Sequence, residues 1–228
     1  LVINYYNMKD LNKAYFAGGC FWCTEAIFSR IKGVMEVYPG YTGGGVANPK
    51  YKQVCLGITG HAEAVEILYD QTIISYKTLL EIFFSTHNPT TLNKQGNDIG
   101  TQYRSTILYK NDEDKVVIEN TLNEYQDLLK KSGFGKITTK VKKLEKFYEA
   151  ENYHQDYIKK NPNGYCPDHS TGVVFDNDVP EVIDNSSLLV GKHILIIDSK
   201  TYCPYCEKFN NDVLQSYKGS IPFSKRTS

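Results

Sequence analysis

Lys13-Ala14-Tyr15-Phe16-Ala17-Gly18-Gly19-Cys20-Phe21-Trp22-Cys23-Thr24-Glu25 is the stretch from which the rest of the chain is read. Lys13 to Ala17 is a short apolar run with strand character, and two glycines interrupt it. Cys23, Ile27 and Ile31 then recur at helical spacing. Cys20 therefore falls where a strand turns into the first turn of a helix, beside the only tryptophan of the sequence. Unpaired backbone N–H groups and the positive end of the helix dipole favour a thiolate at such a place, the reactive form of cysteine. Two readings follow. Cys20 is a nucleophile, or it is a small buried residue packing a turn, since free cysteine is among the most buried residue types.

Moving outward, His61 to Asp70 alternates as a strand does. His61, Glu63, Val65, Ile67 and Tyr69 share one face, so Glu63 lies among apolar neighbours. Burial there would raise its pKa and leave it protonated near neutrality, which suits a general acid. A strand-end carboxylate reaching solvent fits the pattern as well. Between these two strands, Gly33, Pro39-Gly40, Gly43-Gly44-Gly45 and Asn48-Pro49 read as loop. Their spacing does not match a dinucleotide-binding fingerprint, and no phosphate cradle is expected. Ser75 caps a helix through Phe84, and the polar loop Thr90 to Tyr103 brings Asp98, Gln102 and Tyr103 close to Arg104. Ser105 to Lys110 is a strand. Asn111 starts a helix with Ile118, Leu122, Tyr125 and Leu129 on one stripe, ending at Gly133. Ile137 to Leu144 is a further strand, and Phe147 to Ile158 is expected to be helical. Cys166 follows in a Pro- and Gly-bearing segment read as mobile.

Composition narrows the class. A chain of 228 residues suits one good-sized domain and a small second one. With 26 basic and 26 acidic residues the formal charge is zero, which gives no electrostatic case for nucleic acid or an acidic membrane. The 18 tyrosines are scattered rather than interleaved with a basic patch. No apolar run approaches a membrane span, and Leu1 to Asn7 has no secretory character. A monomeric, cytoplasmic protein is expected, with Met8 as its start and residues 1–7 an upstream extension. The six cysteines, at 20, 23, 55, 166, 203 and 206, are too sparse for a disulfide scaffold and point to redox chemistry.

Taken together and in order, the motifs resemble those of the A-type peptide-methionine sulfoxide reductases. The resemblance runs from about Lys13 to Phe175. It rests on Gly19-Cys20-Phe21-Trp22, Gly40-Tyr41-Thr42-Gly43-Gly44, Asn48-Pro49-x-Tyr51, Gly60-His61-Ala62-Glu63-Ala64-Val65 and Gln95-Gly96-Asn97-Asp98-x-Gly100-Thr101-Gln102-Tyr103-Arg104-Ser105. Tyr153-His154-Gln155 and Asn161-Pro162-x-Gly164-Tyr165-Cys166 complete the set. The resemblance implies an α/β fold, a two-layer sandwich, and reduction of the S epimer of methionine sulfoxide, free or in proteins. It makes Cys20 the attacking thiol and Glu63 the general acid. Tyr51 and Tyr103 would hold the sulfoxide oxygen, Phe21 and Trp22 the S-methyl group, and Asp98 the substrate side of the pocket. The resulting sulfenic acid needs a second thiol. Cys166 occupies the family's resolving position, and Cys23 is the alternative within a Cys-Phe-Trp-Cys motif. Cys166 is favoured because a distant partner need not distort a helix start to reach disulfide geometry. Cys55 is expected to pack or to take no catalytic part. The chemistry calls for no cofactor or metal, and the implied reductant is thioredoxin or a glutaredoxin-type dithiol.

From Leu188 the chain resembles the first strand and helix of a glutaredoxin- or thioredoxin-like domain, with Cys203-Pro204-Tyr205-Cys206 as the dithiol motif. The expected division is a catalytic domain at 8–178, a linker at 179–187 and a truncated thioredoxin-like βα unit at 188–228. A unit of that size buries too little surface to be stable alone. Two rivals stand beside this reading. A zinc module using both C-x-x-C pairs would need them roughly 15–20 residues apart, whereas here they lie near opposite ends of the chain. A general thiol-disulfide oxidoreductase would run on the Cys203–Cys206 pair.

Overall fold

The structure, a computed structural model, describes residues 11–175 and the strands Ile194–Asp198 and Phe223–Thr227. The chain divides into two compact units, Leu1–Val182 and Ile183–Ser228. The first unit opens with β1 (Asn12–Ala17), α1 (Phe21–Phe28), β2 (Val34–Thr42), α2 (Tyr51–Cys55), β3 (Ala62–Tyr69) and α3 (Tyr76–Ser85). A two-stranded ribbon follows, β4 (Lys94–Gln95) with β5 (Asp98–Ile99), and then a 3-10 turn at Thr101–Tyr103. It closes with β6 (Thr106–Tyr109), α4 (Asp112–Lys131), β7 (Lys140–Lys143), β8 (Phe147–Glu149) and α5 (Tyr157–Lys160).

Six of these strands form one mixed sheet in the order β7-β6-β1-β3-β2-β8. The strand carrying Glu63 is central, antiparallel to β1 on one side and to β2 on the other. Its alternation puts Val65 and Ile67 on the face where Phe16, Leu79, Phe83, Phe84, Ile118 and Tyr125 make the main core. Ala62 and Ala64 face the other way, with Ala17 and Phe147. The helices that cover the core face begin as the sequence indicates. Ser75 accepts from Thr78 N–H at 3.0 Å, and Asn111 from Asp114 N–H at 2.7 Å. Lysines on β7, the edge strand, keep that edge polar.

Two expectations fail. The Gly- and Pro-bearing run 33–49, read as loop, contains β2, a strand of nine residues and the third of the central trio. Its breakers serve packing rather than turning. At Gly40 a Cβ would sit 2.3 Å from Phe147 Cζ and 2.4 Å from the Tyr148 carbonyl, so glycine admits the neighbouring strand. Pro39 lies where β8 has ended, and its carbonyl accepts from Ala150 N–H at 2.8 Å and Gln155 Nε2 at 3.0 Å. The run 147–158, read as one helix, is β8 followed by turns, and only Tyr157–Lys160 is helical. Pairing of Phe147–Glu149 with Gly40–Thr42 takes that segment into the sheet, a long-range gain that local propensity does not register.

In the second unit, β9 (Ile194–Asp198) pairs in parallel with β10 (Phe223–Thr227), in register from Ile194↔Phe223 to Asp198↔Thr227. The first of these strands is expected from its apolar run, and the second is not. Cys203, Cys206 and the linker 179–187 lie outside the described residues. No helix among the described residues is long and apolar enough to cross a membrane.

Candidate active site

Cys20 is the N-cap of α1, in extended conformation (φ −60°, ψ 122°), and is buried at the helix mouth. Its thiol is held below the ordinary cysteine range. The hydrogen bond from the Cys23 thiol is the main cause, and the N–H groups of Trp22 and Cys23 add to it, against the cost of burial and the nearby Asp98 carboxylate. The strand-to-helix junction thus does to Cys20 what its sequence position suggests. It does so with one partner, Cys23, on the next turn of the same helix.

Glu63 approaches from β3, 2% exposed. Its Oε2 accepts the Phe21 N–H at 3.2 Å, while Oε1 is buried without a partner. Burial drives the carboxyl well above the usual range; the charge of Cys20 adds to this, and the Phe21 N–H opposes it. A neutral carboxylic acid with one unused oxygen stands beside an activated thiol.

Aromatic rings surround this pair. Phe21 is fully buried and packs against Tyr41, Tyr51 and His154, with centroids 5.0–6.4 Å away. Trp22 is partly exposed. Its indole stacks on Tyr157 at 3.7 Å, and its N–H donates to His154 Nδ1 at 3.1 Å. Because Nδ1 accepts, the neutral His154 ring carries its proton on Nε2, and burial keeps the ring neutral. Tyr51 opens α2, where Glu151 accepts both its N–H (3.1 Å) and the Tyr41 hydroxyl (2.8 Å). The hydroxyls of Tyr51 and Tyr103 are pushed up by burial. Hydrogen bonding to Cys55 adds to the effect at Tyr51, and the charge of Glu63 bears on both, so they remain donors across the physiological range.

The three thiols of the first unit's site form a chain. The Cys23 thiol hydrogen-bonds to both Cys166 and Cys20, and these two contacts, the one with Cys166 the larger, raise it far above the ordinary cysteine range. Cys166, exposed on its segment, is lowered by the same hydrogen bond, against its own desolvation, with Arg30 assisting. Cys23 also lies 3.9 Å from the Tyr165 carbonyl. All four described cysteines are free thiols.

Every described residue expected at the site is therefore brought to it: Cys20, Phe21, Trp22, Cys23, Tyr51, Glu63, Asp98, Tyr103 and Cys166. Three residues are added. His154 orders the Trp22–Phe21–Tyr51 cluster, and Glu151 ties α2 to β2. Glu25 anchors the segment leading to Cys166, accepting from Asp156 N–H at 2.7 Å and Tyr157 N–H at 3.3 Å. None of these three carries a periodic signal, because each acts across more than a strand's length of sequence. Cys55, expected to pack or to take no catalytic part, is exposed, with its thiol within hydrogen-bonding reach of Tyr51. Among the described residues no group of three His, Cys, Asp or Glu side chains is placed to hold a metal ion.

Comparison with known proteins agrees with this geometry. The sequence profile of the family described as peptide methionine sulfoxide reductase matches residues 12–177. The chain is 54% identical over 154 residues to a peptide methionine sulfoxide reductase MsrA of Saccharolobus solfataricus, covering 67% of this chain and 85% of that protein. It is 56% identical over 155 residues to the MsrA of Nautilia profundicola, covering 68% and 87%. Among solved structures, reduced Mxr1 of Saccharomyces cerevisiae superposes with a TM-score of 0.65 at 37% identity, covering 70% of this chain and 91% of that one. Methionine sulfoxide reductase A of Corynebacterium diphtheriae gives 0.64 at 38%, covering 72% and 81%. With most of the first unit matched, and the thiol, the acid and the aromatic walls all in place, the chain belongs to the peptide methionine sulfoxide reductase family.

Proposed function

We propose that this protein reduces methionine-S-sulfoxide, free or within oxidised proteins, to methionine, in three thiol steps. The observation that carries the reading is the pairing of Cys20, lowered, with Glu63, raised and holding an unused buried oxygen. A sulfoxide sulfur becomes electrophilic only when its oxygen is protonated or strongly hydrogen-bonded. Glu63 supplies the proton, with Tyr51 and Tyr103 as flanking donors, and the Cys20 thiolate attacks sulfur. Trp22 and Phe21 offer the apolar wall for the S-methyl group, and Asp98 borders the substrate side. Oxygen leaves with Cys20 as a sulfenic acid, and the sulfide departs reduced.

A second thiol then condenses with the sulfenic acid, forming an S–S bond and releasing water. Cys166 is the thiol that ends exposed to a reductant, and Cys23, hydrogen-bonded to both, stands between it and Cys20. In the proposed order Cys20–Cys23 forms first and the Cys166 thiolate then attacks Cys23, freeing Cys20. A thioredoxin-type dithiol reduces the exposed bond, in a cytoplasmic setting where such reductants keep thiols free.

Disulfide mapping after one turnover tests the scheme. Cys20→Ser abolishes methionine formation. Cys166→Ser traps Cys20–Cys23, and Cys23→Ser either accumulates the sulfenic acid or gives Cys20–Cys166. Methionine formation by Cys20→Ser would overturn the assignment of the nucleophile. A bond to Cys203 would assign the electron transfer to the second unit instead.

A further inference from the structure

The segment that carries Cys166 is exposed, yet it is pinned on both sides of the thiol by one carboxylate. Tyr165 hydroxyl donates to Asp98 Oδ1 at 3.3 Å, and His169 Nε2 lies 3.7 Å from Asp98 Oδ2. These last two atoms are buried, and neither has a hydrogen-bond partner. Their separation is too short for a bridging water and slightly long for a direct hydrogen bond, but within ion-pair range. The His169 ring packs against Gly96, in the turn between β4 and β5. A Cβ at Gly96 would stand 2.3 Å from its Cε1 and Nδ1, so only glycine leaves the ring its place. Farther on, Thr171 and the Val173 carbonyl are held by the Tyr125 hydroxyl of α4, at 3.0 and 2.7 Å. The chain from Tyr165 to Val173 is thus fastened at both ends with Cys166 between, its thiol against Cys23.

We propose that His169, together with Tyr165, is a positioning residue that clamps the Cys166 segment onto Asp98 and so holds the resolving thiol in reach before Cys20 is oxidised. The inference rests on the sulfoxide reductase reading above and adds residues which that reading leaves idle. Attack of the Cys166 thiolate on the Cys20–Cys23 disulfide needs its sulfur held against that of Cys23. Holding the partner in place converts an encounter into a step within one body, where a displacement of about 1 Å can cost about 100-fold. Asp98 is suited to the task because it borders the pocket and the segment at once: its charge bears on Cys20 and Glu63 on one side and on Tyr165 and His169 on the other.

The test separates the two chemical steps in the full-length protein. A single turnover with one equivalent of methionine sulfoxide and no reductant is followed by methionine formed and by mapping the disulfides at successive times. In His169→Leu the first methionine and the Cys20–Cys23 disulfide form at the wild-type rate. Conversion of that disulfide to Cys23–Cys166 slows about tenfold or more, and Cys20–Cys23 accumulates. Tyr165→Phe, which removes one exposed hydroxyl without disturbing packing, slows the same step to a smaller extent. His169→Gln, which can still donate to Asp98, restores it. Steady-state turnover on thioredoxin follows with a lowered kcat and a KM for sulfoxide no higher than wild type. Wild-type rates of Cys23–Cys166 formation in both His169→Leu and Tyr165→Phe would overturn the clamp while leaving the reductase reading intact. Absence of methionine from the wild-type protein would remove the reading itself.

Discussion

At the scale of single residues, the site works by opposing shifts. Hydrogen bonds draw Cys20 toward the thiolate, and burial drives Glu63 toward the acid, so each is biased toward the form the reaction uses. Glu63→Gln should lower kcat for sulfoxide reduction by about 100-fold or more, the usual worth of a positioned acid. In the wild type, activity should fall as pH rises through the raised Glu63 value, and that limb should vanish in the variant's pH–rate profile. Stability should move the same way. A carboxyl whose folded pKa is raised binds a proton in the native state that the unfolded chain gives up. Its contribution is therefore full below the unfolded value and is lost as pH rises toward the folded one. Glu25, pushed up to about 7 chiefly by burial, has the same sign. Glu25→Gln should flatten the fall in unfolding free energy between about pH 4.5 and 7, by up to about 1.4 kcal/mol per pH unit, the slope of one proton. Glu63→Gln should flatten the fall as pH rises above the unfolded carboxylate value, in the same direction. Denaturant titrations of each variant across pH 4.5–8.5 check both.

At the scale of elements, α1 carries the site on one helix start: Cys20 at the cap, Trp22 at the aromatic wall, Cys23 between the thiols and Glu25 at the anchor of the following segment. Helix and thiol are legible in the sequence because strand, glycines and helical period are all local signals. The strand β2 is not, since Pro39, Gly40 and Gly43 carry the marks of a turn. Only the approach of Phe147 and Tyr148 explains why glycine sits inside a strand. That contact gives a direct prediction. Gly40→Ala forces a Cβ into a side chain and a backbone carbonyl at once, and should destabilise the protein by about 1–3 kcal/mol. Because β8 leads through Ala150 to Glu151, which holds Tyr41 and Tyr51, the same change should raise KM for sulfoxide. Unchanged stability and KM would mean that β8 can shift away without cost to the pocket.

At the scale of the whole molecule, the sequence motifs name the site more completely than they name the sheet. Cys20, Glu63, Tyr51, Asp98, Tyr103 and Cys166 come from five separate stretches, each a weak signal alone and specific only as an ordered set. The order β7-β6-β1-β3-β2-β8 is not, because it is decided by pairings between strands far apart in the chain. The division of labour between the two units can be tested in the same terms. The six residues just named, with Cys23, all lie in the unit Leu1–Val182. The family profile ends at residue 177, within that unit. The relative from Saccharolobus solfataricus aligns over 154 residues, 85% of its own length. A protein ending at Val182 should therefore keep its cooperative thermal transition and its dithiothreitol-supported kcat, within about twofold of the full chain, as expected when a unit holds its own core. Thioredoxin-supported turnover decides the rest. If it too is kept, electrons reach Cys166 from outside without help from Cys203 and Cys206. If it alone collapses, the second unit is an obligatory carrier, and disulfide mapping should then find Cys203 joined to Cys166 during turnover of the intact chain.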